Sequence, residues 1–254
     1  MAMAQTSSPE NYSLGRGRLY FNRKISAGVY DGERDLGNAP DLSLNVKVDW
    51  LEHFSSRSGM KSKDKRIASQ VTPEVSFMLD EIVAENLAMT FLADVATVTQ
   101  AAATGEMVSF TAKKSRFFDL GKRNVSNVVV EVGAVVKTVS VDYTVDAATG
   151  RIYIPETSTI ADAATVDVTF DCAIDNSTQL KTFKQYEVEG IFRFVSDNPT
   201  GQNMELMVWN LSLSPDGDTA FIGDKWTEIK FKGEMLRDDV GHADSPYCTV
   251  RFGA

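Results

Sequence analysis

The sequence predicts a mainly β protein with one short flanking helix, and three observations carry that expectation. Apolar and polar residues alternate with period two through residues 41–50 and again through 67–79, the mark of half-buried strands. Short runs rich in Val, Ile, Phe and Thr recur along the rest of the chain, separated by Gly, Asp, Asn and Pro turn signals. Helical spacing is confined to one stretch near residues 82–92. With 254 residues, 43% hydrophobic and 24% charged, the chain has room for one large β domain or for a core carrying a smaller module.

Taken in order, residues 1–14 are small, polar and aperiodic, and read as a flexible N-terminal arm. Gly15, Arg16, Gly17 and Arg18 lead into a first short strand at Leu19, Tyr20 and Phe21. Residues 28–38 carry turn chemistry and end at Pro40. Leu42, Leu44, Val46, Val48 and Trp50 then alternate with Asp41, Ser43, Asn45, Lys47 and Asp49. A polar loop is expected over 53–64. Alternation resumes with Ile67, Val71, Val75, Phe77 and Leu79 against Arg66, Gln70, Glu74 and Asp80. Pro73 cannot donate to a ladder and marks a bulge or an edge. Together these runs predict a long hairpin with an extended basic tip, followed by a helix of two or three turns beginning near Ala84.

The Ala- and Thr-rich stretch 97–105 reads as a linker. Beyond it, strand patterns at 107–110, 128–132, 137–141, 151–155 and 166–170 predict an inserted small β-sandwich-like unit over 105–172. Three further strands are expected at 186–194, 204–213 and 226–236, with a last edge strand in 246–252. The core domain would therefore comprise 15–100 and 173–254. No 20–50-residue period recurs, which excludes a solenoid or propeller.

Residues that could carry chemistry are few. The net charge of −9 opposes gripping nucleic acid by its phosphates but permits nucleic acid to slide past. No apolar run is long enough to span a bilayer, so no membrane insertion is expected. The first residues lack a basic and apolar leader and read as a cytosolic start. Cys172 and Cys248 fit no metal spacing and read as two buried thiols rather than a disulfide. Phosphate-loop, dinucleotide, zinc-protease and nucleophile-elbow motifs are all missing. Asp216, Gly217, Asp218 and Asp224 follow Pro215 as a β-turn rather than a calcium loop. His242 lies in a Gly-His-Ala-Asp-Ser loop that offers half a triad at most. Trp50, Trp209 and Trp226 all fall within strand patterns. No catalytic, cofactor or metal site is expected. The basic tip, with Arg57, Lys61, Lys63 and Lys65, reads either as a solvated loop or as one that meets an acidic neighbouring subunit.

Several segments resemble those of tail tube proteins (major tail proteins) of long, non-contractile-tailed bacteriophages. They are the opening Gly17-Arg-Leu-Tyr-Phe, the stretch from Arg34 through Pro40 to Val46, the Leu51-Glu-His-Phe-Ser-Ser loop, the helix from Ala84, and the block from Asp142 through Thr149, Gly150 and Arg151. The likeness is clearest over 15–93 and 128–171. It implies a tail-tube-like β-sandwich or barrel, assembled as hexameric rings stacked into a hollow virion tube through which phage DNA passes without specific binding. It also implies tape measure, tail terminator and distal tail proteins as partners, and a subunit made in the bacterial host cytoplasm. On that view the polar hairpin face lines the lumen: Asp41, Ser43, Asn45, Lys47, Asp49, Arg66, Gln70, Glu74 and Asp80. Four acids against two bases would make a weakly repulsive wall for phosphates. Arg57, Lys61, Lys63 and Lys65 would contact the next ring. A contractile-tail or secretion-apparatus tube subunit, and a β-sandwich receptor- or glycan-binding tail module, remain as alternatives.

Overall fold

The computed structural model describes residues 12–57 and 59–253. Most of the expected 1–14 arm lies outside them. Among the described residues the chain is mainly β with a single helix. In order, the strands are β1 (Gly17–Ser26), β2 (Val29–Asp35), β3 (Asp41–Ser55) and β4 (Ser62–Leu79), then helix α1 (Ala84–Thr90). There follow β5 (Asp94–Gln100), β6 (Ala103–Thr111), β7 (Arg116–Asp119), β8 (Val125–Val132), β9 (Val135–Val136), β10 (Thr144–Asp146), β11 (Arg151–Ile154), β12 (Thr165–Cys172) and β13 (Asp175–Lys181). The chain closes with β14 (Val188–Ser196), β15 (Met204–Pro215), β16 (Ile229–Met235) and β17 (Cys248–Phe252).

Two compact units result. One takes the described residues of Met1–Val95 and Leu180–Ala254, the other Ala96–Gln179. The first is built on an eight-stranded antiparallel sheet ordered β2-β1-β14-β15-β16-β4-β3. β15 is long enough to share one edge, holding β16 along Leu211–Pro215 and β17 along Met204–Val208. Alternation drives the burial: in β16, Ile229, Phe231, Gly233 and Met235 point inward while Lys230 and Glu234 stay wet. Phe77 of β4 stacks between Phe192 and Phe231, with ring centroids 5.4 and 5.2 Å away. Helix α1 buries Met89 in this core and packs Leu87 against it. The buried Asn86 amide donates to the carbonyls of Leu36 and Glu81, both at 3.0 Å, tying the helix to the loop after β2.

The second unit has a four-stranded sheet, β6-β12-β8-β9, and a three-stranded sheet, β10-β11-β7. Its separate core contains Val130, Ile152, Ile154, Val166, Val168 and Phe170. β5 and β13 pair with each other where the chain passes between units.

Several expectations need correction. The presumed linker at 97–105 is mostly strand: its first residues complete β5 and its last open β6. The strand expected over 137–141 does not form; the two-residue β9 at Val135–Val136 precedes it, and positive φ at Ala134 and Ser140 turns the chain. Residues 29–35 form an edge strand rather than a turn, with its one glycine, Gly32 (φ 107°), at an irregularity in the pairing with β1. Trp226, expected within a strand, lies in the loop before β16. The polar loop expected over 53–64 shrinks to residues 56–61, because both strands run nearly to the tip. Polar residues suit a two-stranded ribbon wet on both faces, and here they pair across it: Lys63 with Glu52, and His53 Nδ1 with Asp64 at 2.5 Å.

Candidate assembly surface

β3 and β4 pair over their full length, from Asp41↔Met78 to Ser55↔Ser62. β16 covers the other side of β4 only from Leu79 to Glu74. Pro73 comes one residue later, where that side of β4 becomes an edge, as its missing donor suggested. From there to Ser62 the hairpin continues as a free two-stranded ribbon, on the order of 35–40 Å long at strand rise. Such a ribbon has no core of its own and is marginal in water when isolated.

Its two faces can be read from the register. Leu42, Leu44, Val46, Val48 and Trp50 oppose Phe77, Val75, Pro73, Val71 and Ala68. Near the base this face enters the core through Val75 and Phe77. Further out, Leu44, Val46, Trp50 and Val71 are exposed. The apolar stripe thus outruns the core that was expected to cover it. The opposite face carries Asp41, Ser43, Asn45, Lys47 and Asp49 beside Ser76, Glu74, Thr72 and Gln70.

Two residues expected on that polar face lie elsewhere. Gln70 opposes Asp49 but Ala68 opposes Trp50, so Ser69 is an extra, bulged residue. The slip moves Arg66 to the apolar side, where its guanidinium sits 3.5 Å from the Trp50 ring centroid. It also turns Ile67 onto the polar side, opposite Leu51, and both are exposed. Asp80 falls beyond the strand and accepts from the Asn38 side-chain amide at 2.8 Å.

Glu74 anchors the ribbon's base. Only 6% exposed, it meets Lys47 at 2.9 Å and Lys232 at 3.1 Å, bridging β3, β4 and β16. The Lys47 ammonium, with Lys232 in support, holds its carboxyl below the ordinary value against the opposing effect of burial. The tip cations do not share one loop. Arg57 and Lys61 sit in the 56–61 turn, Lys63 bonds Glu52 and overhangs Phe54, and Lys65 opposes His53.

A second surface escaped sequence reasoning. The loop 216–228, between β15 and β16, exposes Phe221, Ile222 (96%) and Trp226 (91%). Phe221 stacks on Phe91 just after α1, at a centroid distance of 5.9 Å. Its Asp-Gly-Asp start was legible as a turn, but three bulky apolar residues between carboxylates were the signal to notice.

Elsewhere the chemistry is structural. Asp238 Oδ2 meets His242 Nδ1 at 2.8 Å, yet the imidazole lies flat on Trp209, with centroids 3.5 Å apart. The Ser245 hydroxyl donates to the Cys248 carbonyl rather than to that ring. The Gly241 amide and His242 together hold the Asp238 carboxyl below its ordinary value. Cys172 and Cys248 are free thiols, one in each unit. Among the described residues, no cluster of three or more His, Cys, Asp or Glu is placed to hold a metal ion, and no helix is long and apolar enough to cross a membrane.

The surfaces thus defined are those of a β protein with an uncovered apolar ribbon. The chain belongs to the family described as protein of unknown function UCP028589, whose model matches residues 12–251. No curated protein matches the sequence.

Proposed function

We propose that this chain is a structural virion protein, the tail tube subunit of a long, non-contractile-tailed bacteriophage. Hexameric rings of it stack into the hollow tube that carries DNA to the host. It acts by assembly rather than by catalysis. The observation that carries this reading is the β3–β4 ribbon, which leaves the core with Leu44, Val46, Trp50 and Val71 still exposed. A ribbon so long and so poorly covered has its partner in other copies of the chain. The sheet supports ring closure as well, since β2 and β3 stand at its two ends with one edge each unpaired.

In the ring, Asp41, Ser43, Asn45, Lys47, Asp49 and Gln70 face the lumen. Glu74 lies beneath Lys47 and Lys232, which leaves Asp41 and Asp49 as the freer charges toward passing phosphates. The exposed Phe221, Ile222 and Trp226 favour a second reading, a receptor- or glycan-binding tail module, because binding loops carry such side chains. Negative-stain imaging of the purified protein over a concentration series separates the two. Rings or hollow tubes are expected; a persistent monomer at high concentration would sink the tube reading and favour the binding module.

A further inference from the structure

Two exposed surfaces of the first unit are opposite in charge, alike in apolar character, and placed at opposite ends of one sheet. The distal ribbon, residues 52–66, carries five cations (Arg57, Lys61, Lys63, Lys65 and Arg66) against Glu52 and Asp64. Both of those carboxylates already have local partners, in Lys63 and His53. Exposed Leu51, Phe54 and Ile67 accompany these cations. The loop 216–228 carries Asp216, Asp218, Asp224 and Glu228 against Lys225 alone, with Phe221, Ile222 and Trp226 in water.

The register fixes where each surface lies. β16 begins at Ile229, opposite Leu79, so the acidic loop caps the end of the sheet at which β4 finishes. The ribbon tip lies at the other end of β4, beyond Ser62. Ser62 and Leu79 are the two ends of the 18-residue β4, on the order of 50 Å apart. The two surfaces therefore cannot meet within one molecule.

We infer that the acidic apolar loop 216–228 is the docking site for the basic ribbon tip of a second copy of this chain. The contact is head-to-tail. Complementary surfaces at opposite ends generate an open stack rather than a closed dimer, because each added copy presents the same free tip and free loop. Apolar side chains on both partners leave water, while the surrounding charges set register and exclude tip-to-tip and loop-to-loop encounters. The inference rests on the tube reading and deepens it by naming the two surfaces that join one ring to the next.

Charge exchange in the full-length chain tests it. The tip variant is Lys61→Glu with Lys65→Glu; the loop variant is Asp218→Lys with Asp224→Lys. Each should keep the wild-type circular dichroism and melting temperature yet need about tenfold more protein to assemble, read by sedimentation and negative stain. A 1:1 mixture should recover assembly, since every tip then finds a loop of opposite charge. Ile222→Ser with Trp226→Ser should weaken assembly without such recovery. If wild type forms tubes and both charge variants match it, or the mixture fails to recover, the contact is wrong while the tube reading stands. If wild type never assembles at any concentration, both fall together.

Discussion

A methyl group at Gly190 would sit 2.4 Å from the Asn22 carbonyl oxygen and 2.7 Å from the Phe21 ring. Gly190 lies in β14 between Arg23 of β1 and Leu211 of β15, so the backbone has little room to yield. Gly190→Ala should destabilise the first unit by roughly 1–3 kcal/mol, read from the urea midpoint. An unchanged midpoint would refute this packing. Asp142 makes a second residue-scale case. Its buried carboxylate accepts from the Thr138 amide at 2.9 Å and from the Thr159 amide and hydroxyl at 3.0 and 2.7 Å. These bonds, that from Thr138 foremost, hold it below the ordinary Asp value. A carboxylate depressed in the folded state adds stability that is present above the unfolded pKa, about 3.9, and is lost as pH falls through the folded value. Asp142→Asn should therefore lower the melting temperature most at pH 7, with the gap to wild type closing below about pH 4. A gap that does not vary with pH would contradict it. Neither residue was legible in the sequence, because both depend on neighbours brought from distant strands. Arg66 lies off its expected face for a related reason: alternation counts residues, and the bulged Ser69 reverses the faces beyond it until a second bulge at Asp64.

At the scale of elements, the period-two pattern of β3 and β4 was plain, and so was the short helix from Ala84. What the pattern could not say is where the hairpin leaves the core. Leu44 and Leu42 look alike in sequence, but Leu42 is half-buried against the core while Leu44, one pleat further out, is exposed. The missed loop shows the converse. Trp226 falls at the start of the strand pattern over 226–236, although pairing starts only at Ile229. The element-scale prediction concerns the ribbon. Replacing residues 50–69 by Asn-Gly joins the paired Asp49 and Gln70 through a two-residue turn and leaves Val75, Phe77 and Leu79 in the core. The shortened chain should melt within a few degrees of wild type, as the ribbon contributes no core, yet fail to form tubes. Loss of folding would show that the ribbon stabilises its own subunit. Intact tubes would show that it joins nothing.

For the whole molecule, the sequence marked out an inserted β unit but placed its limits at 105 and 172 rather than at 96 and 179. The stretch 97–105, which holds the end of β5, reads as a linker because its composition is small and polar, and no strand is expected over β13. The pairing of β5 with β13 depends on chain segments some 75 residues apart, which no local pattern announces. Each unit has its own buried cluster, and the ribbon, the acidic loop and the open edges of β2 and β3 all belong to the first. Assembly should then be separable from the second unit. Val95 and Leu180 bound the excursion, and β5 and β13, which start and end beside them, pair with each other, so a short Gly-Ser linker can bridge the gap. A chain lacking 96–179 should fold with one cooperative transition and still form tubes. The excised unit, expressed alone, should stay monomeric with a core sufficient to melt cooperatively. Should the shortened chain fold but remain a monomer, the inserted unit would be part of the tube wall instead of a decoration carried by it.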